Sequence, residues 1–84
     1  MFRSVLRLTA LDGQYTTVVE PWAQEFVVGP ADDCQVVALH PSASPTFGVE
    51  IVRGALVVTV HESGAVFEFW RGSAREFSTA VAIP

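Results

Sequence analysis

Few residues in this chain have side chains suited to catalysis or metal binding, and their spacing sorts them quickly. Asp32-Asp33-Cys34, followed by His40, offers two carboxylates, a thiol and an imidazole in one stretch. Zinc would need such ligands at tetrahedral spacing, and calcium a longer oxygen-rich loop. Adjacent aspartates between two apolar runs read instead as turn formers, because a short carboxylate side chain caps its own backbone. The single cysteine excludes an internal disulfide and a multi-cysteine zinc site. His61-Glu62-Ser63 holds the residue types of a base, an acid and a nucleophile. Catalysis needs such groups aimed at one point beside an oxyanion site, whereas neighbours on a strand face opposite sides. His61 therefore reads as a solvent-side strand residue, and Cys34 as a small buried hydrophobe. No catalytic residue, metal ligand or cofactor is assigned, and the chain is expected not to be an enzyme.

The residues suited to recognition are the tryptophans and arginines. Trp22 follows Pro21 in a loop, Trp70 ends an apolar strand beside Arg71, and Arg75 follows in the next segment. Aromatic residues and arginine are enriched at binding hot spots. Trp22, Trp70, Arg71 and Arg75 are accordingly the candidate protein-contact residues, with core or sandwich-edge packing as the alternative for both tryptophans. Phe26, Phe47, Phe67 and Phe69 are expected in the core. The carboxylates Glu20, Glu25, Glu50, Glu62, Glu68 and Glu76 are scattered through the strands and read as solvated faces. The alternative is a docking surface for a basic partner.

These side chains must be positioned by a small body. The chain has 84 residues, half of them hydrophobic and 17% charged, which is too apolar for disorder. Nine acidic residues face five basic ones, all arginine, for a net charge of −4. That balance argues against a phosphate-tracking nucleic-acid binder. The longest strongly apolar run, Ala55–Val60, is far shorter than the ~20 residues of a spanning helix, so no direct membrane insertion of this segment is expected. Residues 1–84 read as a single domain.

The apolar residues are dominated by valine, which packs well on a pleated sheet. Period-two alternation predicts strands at Arg3–Thr9, Tyr15–Glu20, Glu25–Val28, Gln35–Leu39, Val49–Arg53, Ala55–His61, Ala65–Trp70 and Glu76–Ala82. Asp12-Gly13 predicts a hairpin between the first two, and Gly54 a hairpin between the fifth and sixth. The adjacent valines Val36-Val37 mark a central strand. His40–Phe47, with Pro41 and Pro45, is the longest loop. The expected fold is an all-β sandwich of about seven to nine short, mostly antiparallel strands. Ending on an apolar strand at Ile83-Pro84, it would leave an unpaired edge and possess no terminal covering strand. Either the chain is excised from a longer protein, the reading the resemblance given below favours, or a partner covers that edge.

The stretch from Glu25 through Val28-Gly29-Pro30-Ala31-Asp32-Asp33-Cys34 to Val37 resembles a forkhead-associated domain. So do His40-Pro41-Ser42-Ala43-Ser44, Phe47–Ile51, Gly54–Val58 and the opening segment with Asp12-Gly13. The departures bear on function. Pro30 stands where the resemblance implies an arginine, Phe47 where it implies a histidine, and Ser44 is a partial match. The chain has no asparagine, and a phosphothreonine site needs an arginine fork and hydrogen-bond donors. No phosphopeptide binding is expected.

A degenerate, acidic domain of this kind resembles the N-terminal cytoplasmic domain of the inner-membrane ring protein of type III secretion systems. That resemblance implies a scaffold on the cytoplasmic side of the bacterial inner membrane. Its partners would be copies of itself in a ring or a cytoplasmic adaptor of the secretion apparatus. Two alternatives stay open: a phosphothreonine-reading signalling module, and a stand-alone inhibitor or immunity protein.

Overall fold

The computed structural model describes residues 1–10, 12–42 and 47–84. They form eight strands: β1 (Phe2–Leu8), β2 (Tyr15–Glu20), β3 (Gln24–Val28), β4 (Cys34–His40), β5 (Phe47–Val52), β6 (Ala55–Val60), β7 (Val66–Arg71) and β8 (Ala74–Ser78). Sheet A has the order β1-β4-β7-β8, and sheet B the order β3-β2-β6-β5. All pairings are antiparallel except β2 with β6, which run parallel. The fold is the expected all-β sandwich, with a strand count inside the expected range.

The core is built by alternation. Val36, Ala38, Phe67 and Phe69 of sheet A face Val19, Val28, Val58 and Val60 of sheet B, and all eight are buried. Phe26 reaches across from β3 and stacks flat on Phe69, with ring centroids 4.0 Å apart. It meets Phe77 edge-on at 5.7 Å. Central strand β4 explains the adjacent valines. Val36 points into the core and Val37 to the outer face, and neither has exposed surface.

The hairpin expected at Gly54 is present. Arg53 and Gly54 join β5 to β6 with positive φ at both positions, 51° and 81°, as a type I′ turn requires. β7 and β8 pair around Gly72-Ser73. The hairpin expected at Asp12-Gly13 is not one. β1 pairs with β4 in sheet A, while β2 pairs with β3 and β6 in sheet B. The segment between them crosses from one sheet to the other. Buried Ala10 anchors it, and Tyr15 Oη donates a hydrogen bond to Thr9 O at 3.0 Å. A bend built on Gly looks the same in sequence whether it reverses a chain within a sheet or passes it between sheets.

The last strand also differs from expectation. It spans Ala74–Ser78, not Glu76–Ala82, because the tight turn brings Ala74 opposite Arg71 at once. The remaining residues leave regular pairing but stay bonded. Thr79 N donates to Phe67 O and Ile83 N to Ala65 O, both at 3.0 Å. Gly64 N donates to Ile83 O at 2.7 Å.

Candidate functional site

The outer face of sheet A carries three rows set by the strand registers. Arg3, Leu39 and Val66 form the first, and Val5, Val37, Glu68 and Ser78 the second. Arg7, Gln35, Trp70 and Arg75 form the third. The alternate residues of these strands fill the core, so the rows face away from it. The outer face of an antiparallel sheet is ordinarily polar. Here its middle is apolar: Val37 is fully buried beneath its neighbours, Leu39, Val66 and Trp70 are half-buried, and Val5 is exposed.

Charge on this face runs against the charge of the chain. Three of the five arginines, Arg3, Arg7 and Arg75, border the apolar strip, and Glu68 is the one carboxylate within the rows. Glu68 is mostly covered. Its Oε1 accepts from Trp70 Nε1 at 2.9 Å and its Oε2 from Arg75 Nη1 at 3.2 Å. The indole is thus held in one orientation by a carboxylate that also neutralises Arg75. Arg7 makes a forked contact with Asp33 at 3.0 and 3.1 Å, at the exposed margin. Arg3 has no ion pair among the described residues. An apolar centre with one oriented tryptophan and an arginine rim has the composition of a protein-binding patch.

Of the candidate contact residues, the structure brings together Trp70 and Arg75, which are register partners on this face. Arg71 lies on the opposite face of the same strand. Its guanidinium contacts Asp32 at 2.6 Å, Val27 O at 3.0 Å and Glu76 through both Nε and Nη2, and it lies 5.7 Å from the Phe69 ring centroid. The hydrogen bond to Glu76 is the main cause that holds its proton more tightly than an ordinary guanidinium. Arg71 therefore ties sheet A to β3 of sheet B. Trp22 is at neither place. Its ring packs on Phe67 at 4.7 Å, and its Nε1 donates to Val81 O at 2.7 Å.

Pro30 sits in the turn after β3, where Gly29 N donates to Asp32 Oδ2 at 2.7 Å. Phe47 opens β5 and packs against the core. Ser44 lies outside the described residues. The Asp32-Asp33-Cys34…His40 set is dispersed. Asp32 serves Arg71, Asp33 serves Arg7, and Cys34 and His40 sit at opposite ends of β4. Burial of Cys34 raises its thiol pKa above the ordinary value, and nearby Arg71 opposes this only in part.

Sequence reasoning missed one polar constellation. His40 is buried, and its Nδ1 donates to Ser42 O at 2.6 Å. A nitrogen facing a carbonyl must carry the hydrogen, so in the neutral ring Nε2 accepts from Ser4 Oγ at 2.8 Å. Glu62 Oε2 lies 2.9 Å from the same Nδ1, buried and without a hydrogen bond of its own, while Oε1 accepts from Ser42 N and Ser42 Oγ. This Ser4–His40–Glu62 order has the connectivity of a proton relay. What it does here is satisfy a buried imidazole and fasten β1, the end of β4 and the turn after β6 together. Its members are far apart in sequence, so no spacing announces them. Of the adjacent trio His61-Glu62-Ser63, only Glu62 joins it: His61 is exposed beside Gly48, and Ser63 Oγ donates to Pro84 O at 2.8 Å.

Two further concavities lie on sheet B. One of about 270 Å³ is lined by Tyr15, Ile51, Gly54, Ala55 and Leu56, and one of about 240 Å³ by Gly48, Val49, Glu50, Thr59 and His61. Among the described residues, no three His, Cys, Asp or Glu side chains converge on a point that could hold a metal. Compared with protein-family models, curated proteins and solved structures, the chain matches none.

Proposed function

We propose that the chain is a non-enzymatic protein-interaction domain, and that it docks a partner on the outer face of sheet A. The observation that supports this most directly is the apolar strip of Val5, Leu39, Val66 and Trp70 bordered by Arg3, Arg7 and Arg75 on an otherwise acidic molecule. Trp70 is already oriented by Glu68, so little side-chain freedom is lost on binding. The partner that fits is a protein presenting an apolar ridge with a carboxylate placed to meet Arg3, because Arg7 and Arg75 are already paired with Asp33 and Glu68. Arginine steering would make its association rate fall with salt.

The narrower reading puts this domain on the cytoplasmic side of a bacterial inner membrane, as a scaffold in the ring of a type III secretion system. It rests on the resemblance of residues 25–37, 40–44, 47–51 and 54–58 to a degenerate forkhead-associated domain. A scaffold that does not read phosphate accords with Pro30 and Phe47, and with Arg71, whose guanidinium is already committed to Asp32, Glu76 and Val27 O.

The test is a pull-down from a secreting bacterium with wild type, Trp70→Ala and Arg75→Glu as bait. The expected result is a protein retained by wild type and lost with both variants, while the variants keep the wild-type circular dichroism. Capture that is indifferent to both substitutions would remove the outer face from the reading.

A further inference from the structure

Strand β5 is an edge of sheet B that pairs only with β6. Natural edge strands are kept from pairing with other chains by charge, proline or shortness. The other edges carry such protection. β1 presents Arg3 and Arg7 and β8 carries Arg75 and Glu76, two charges each, while β3 bears Glu25 and is one residue shorter than β5. β5 has six residues, no proline and one charge, Glu50. Its apolar side chains are open to solvent, with Val49 at 53% and Ile51 at 77% exposure.

We propose that β5 pairs with β5 of a second copy of this chain, antiparallel about a two-fold axis at Val49. The registers decide the choice. An axis at Glu50 would set Glu50 against its own copy, and like charges directly opposite destabilise a sheet. An axis at Ile51 would set Val49 against Arg53. With the axis at Val49, Val49 meets Val49, and Ile51 meets Phe47 on the same face.

On the opposite face, this register places Glu50 across from Gly48 of the second copy. Gly48 has a specific neighbour: a Cβ there would run into His61 Nε2, so the imidazole occupies the space a side chain would take. Gly48, Glu50, Thr59 and His61 line one shallow concavity. The Glu50 carboxylate of one copy thus enters the other beside an exposed imidazole. The two-fold axis makes this contact twice. A carboxylate acceptor facing an imidazole donor on one face, and matched apolar residues on the other, identify a second copy as the occupant. An isologous contact of this kind closes at two.

The test uses the whole chain, whose own Cys34 is sealed in the core. Val49→Cys places two thiols opposite one another at the axis, within disulfide reach. Ile51→Cys places its pair at least about 13 Å apart along the strands, which is out of reach. Under oxidised glutathione, Val49→Cys is expected to give a disulfide-linked dimer on a non-reducing gel, and Ile51→Cys to stay monomeric. Equal cross-linking of both, or of neither, would overturn the proposal. Sedimentation equilibrium supplies the second arm. Glu50→Lys weakens the dimer roughly tenfold, the scale of two partly exposed hydrogen bonds to a carboxylate. Combining it with His61→Glu restores the wild-type constant to within about threefold. A double variant no tighter than the single one would refute the Glu50–His61 contact. Both positions are exposed, and unchanged circular dichroism verifies that the variants fold.

Discussion

Arg71→Met removes one guanidinium that joins two sheets, and its cost can be worked out contact by contact. The side chain is 30% exposed and meets carboxylates of Asp32 and Glu76 that are 31% and 38% exposed. Ion pairs this open to water contribute at the upper end of the surface range, about 0.5–1 kcal/mol each. The hydrogen bond to Val27 O adds about 1 kcal/mol. The Phe69 contact adds about 0.5 kcal/mol, and the apolar stem that methionine keeps offsets none of these. Arg71→Met should therefore lower stability by about 2.5–3.5 kcal/mol, a large share of the roughly 4–13 kcal/mol normal for a domain of this size. The midpoint of thermal unfolding should fall by about 10–28 °C. Arg71→Lys keeps the charge but not the fork and should lose about half as much. Urea unfolding followed by tryptophan fluorescence measures both, with Trp22 reporting from its place on Phe67. An Arg71→Met protein within about 0.5 kcal/mol of wild type would refute the clamp.

Three other outcomes follow from the packing and the titratable groups. Phe69→Ala, at a fully buried site stacked on Phe26, should cost about 3–5 kcal/mol in urea unfolding. Gly54→Ala, at a φ of 81°, should lower stability by about 1–2 kcal/mol by the same measurement, although a Cβ there meets no neighbour. Burial raises the pKa of both the Cys34 thiol and the Tyr15 phenol, so the folded state keeps these protons longer than the unfolded chain. Their contribution to stability is complete below the ordinary thiol value of 9.0 and is lost as pH rises through the folded values. Urea midpoints taken at successive pH values should fall above pH 9, less steeply for Cys34→Ala.

The strands were legible because valine-rich alternation is a local property. The inward set of β6, Leu56, Val58 and Val60, and the outward set of β7, Val66, Glu68 and Trp70, could be separated by period two alone. Which strands become neighbours was not legible. Asp12-Gly13 and Arg53-Gly54 look alike in composition, yet one crosses between sheets and the other turns within one. The interaction face was half visible. Trp70 and Arg75 stand out by residue type, but Val5, Leu39 and Val66 join them only through registers that link β1, β4 and β7. Arg71 sits next to Trp70 in sequence and on the other side of the sheet in space. The His40 cluster could not have been found, because its partners come from three separate elements.

The parallel pairing of β2 with β6 has a kinetic consequence. Thr17–Glu20 align with Leu56–Thr59, so sheet B stays divided into two separate hairpins until a span of some forty residues is drawn together. That closure loses chain entropy before the pairing can compensate for it. The hairpins β2–β3, β5–β6 and β7–β8 form within microseconds, but their assembly waits on distant pairings of this kind, β2 with β6 in sheet B and β1 with β4 and β4 with β7 in sheet A. Folding is therefore slow for so small a molecule, on the scale of milliseconds to seconds. During synthesis the β2–β3 hairpin emerges long before its parallel partner, and its valines spend that interval without a sheet to join.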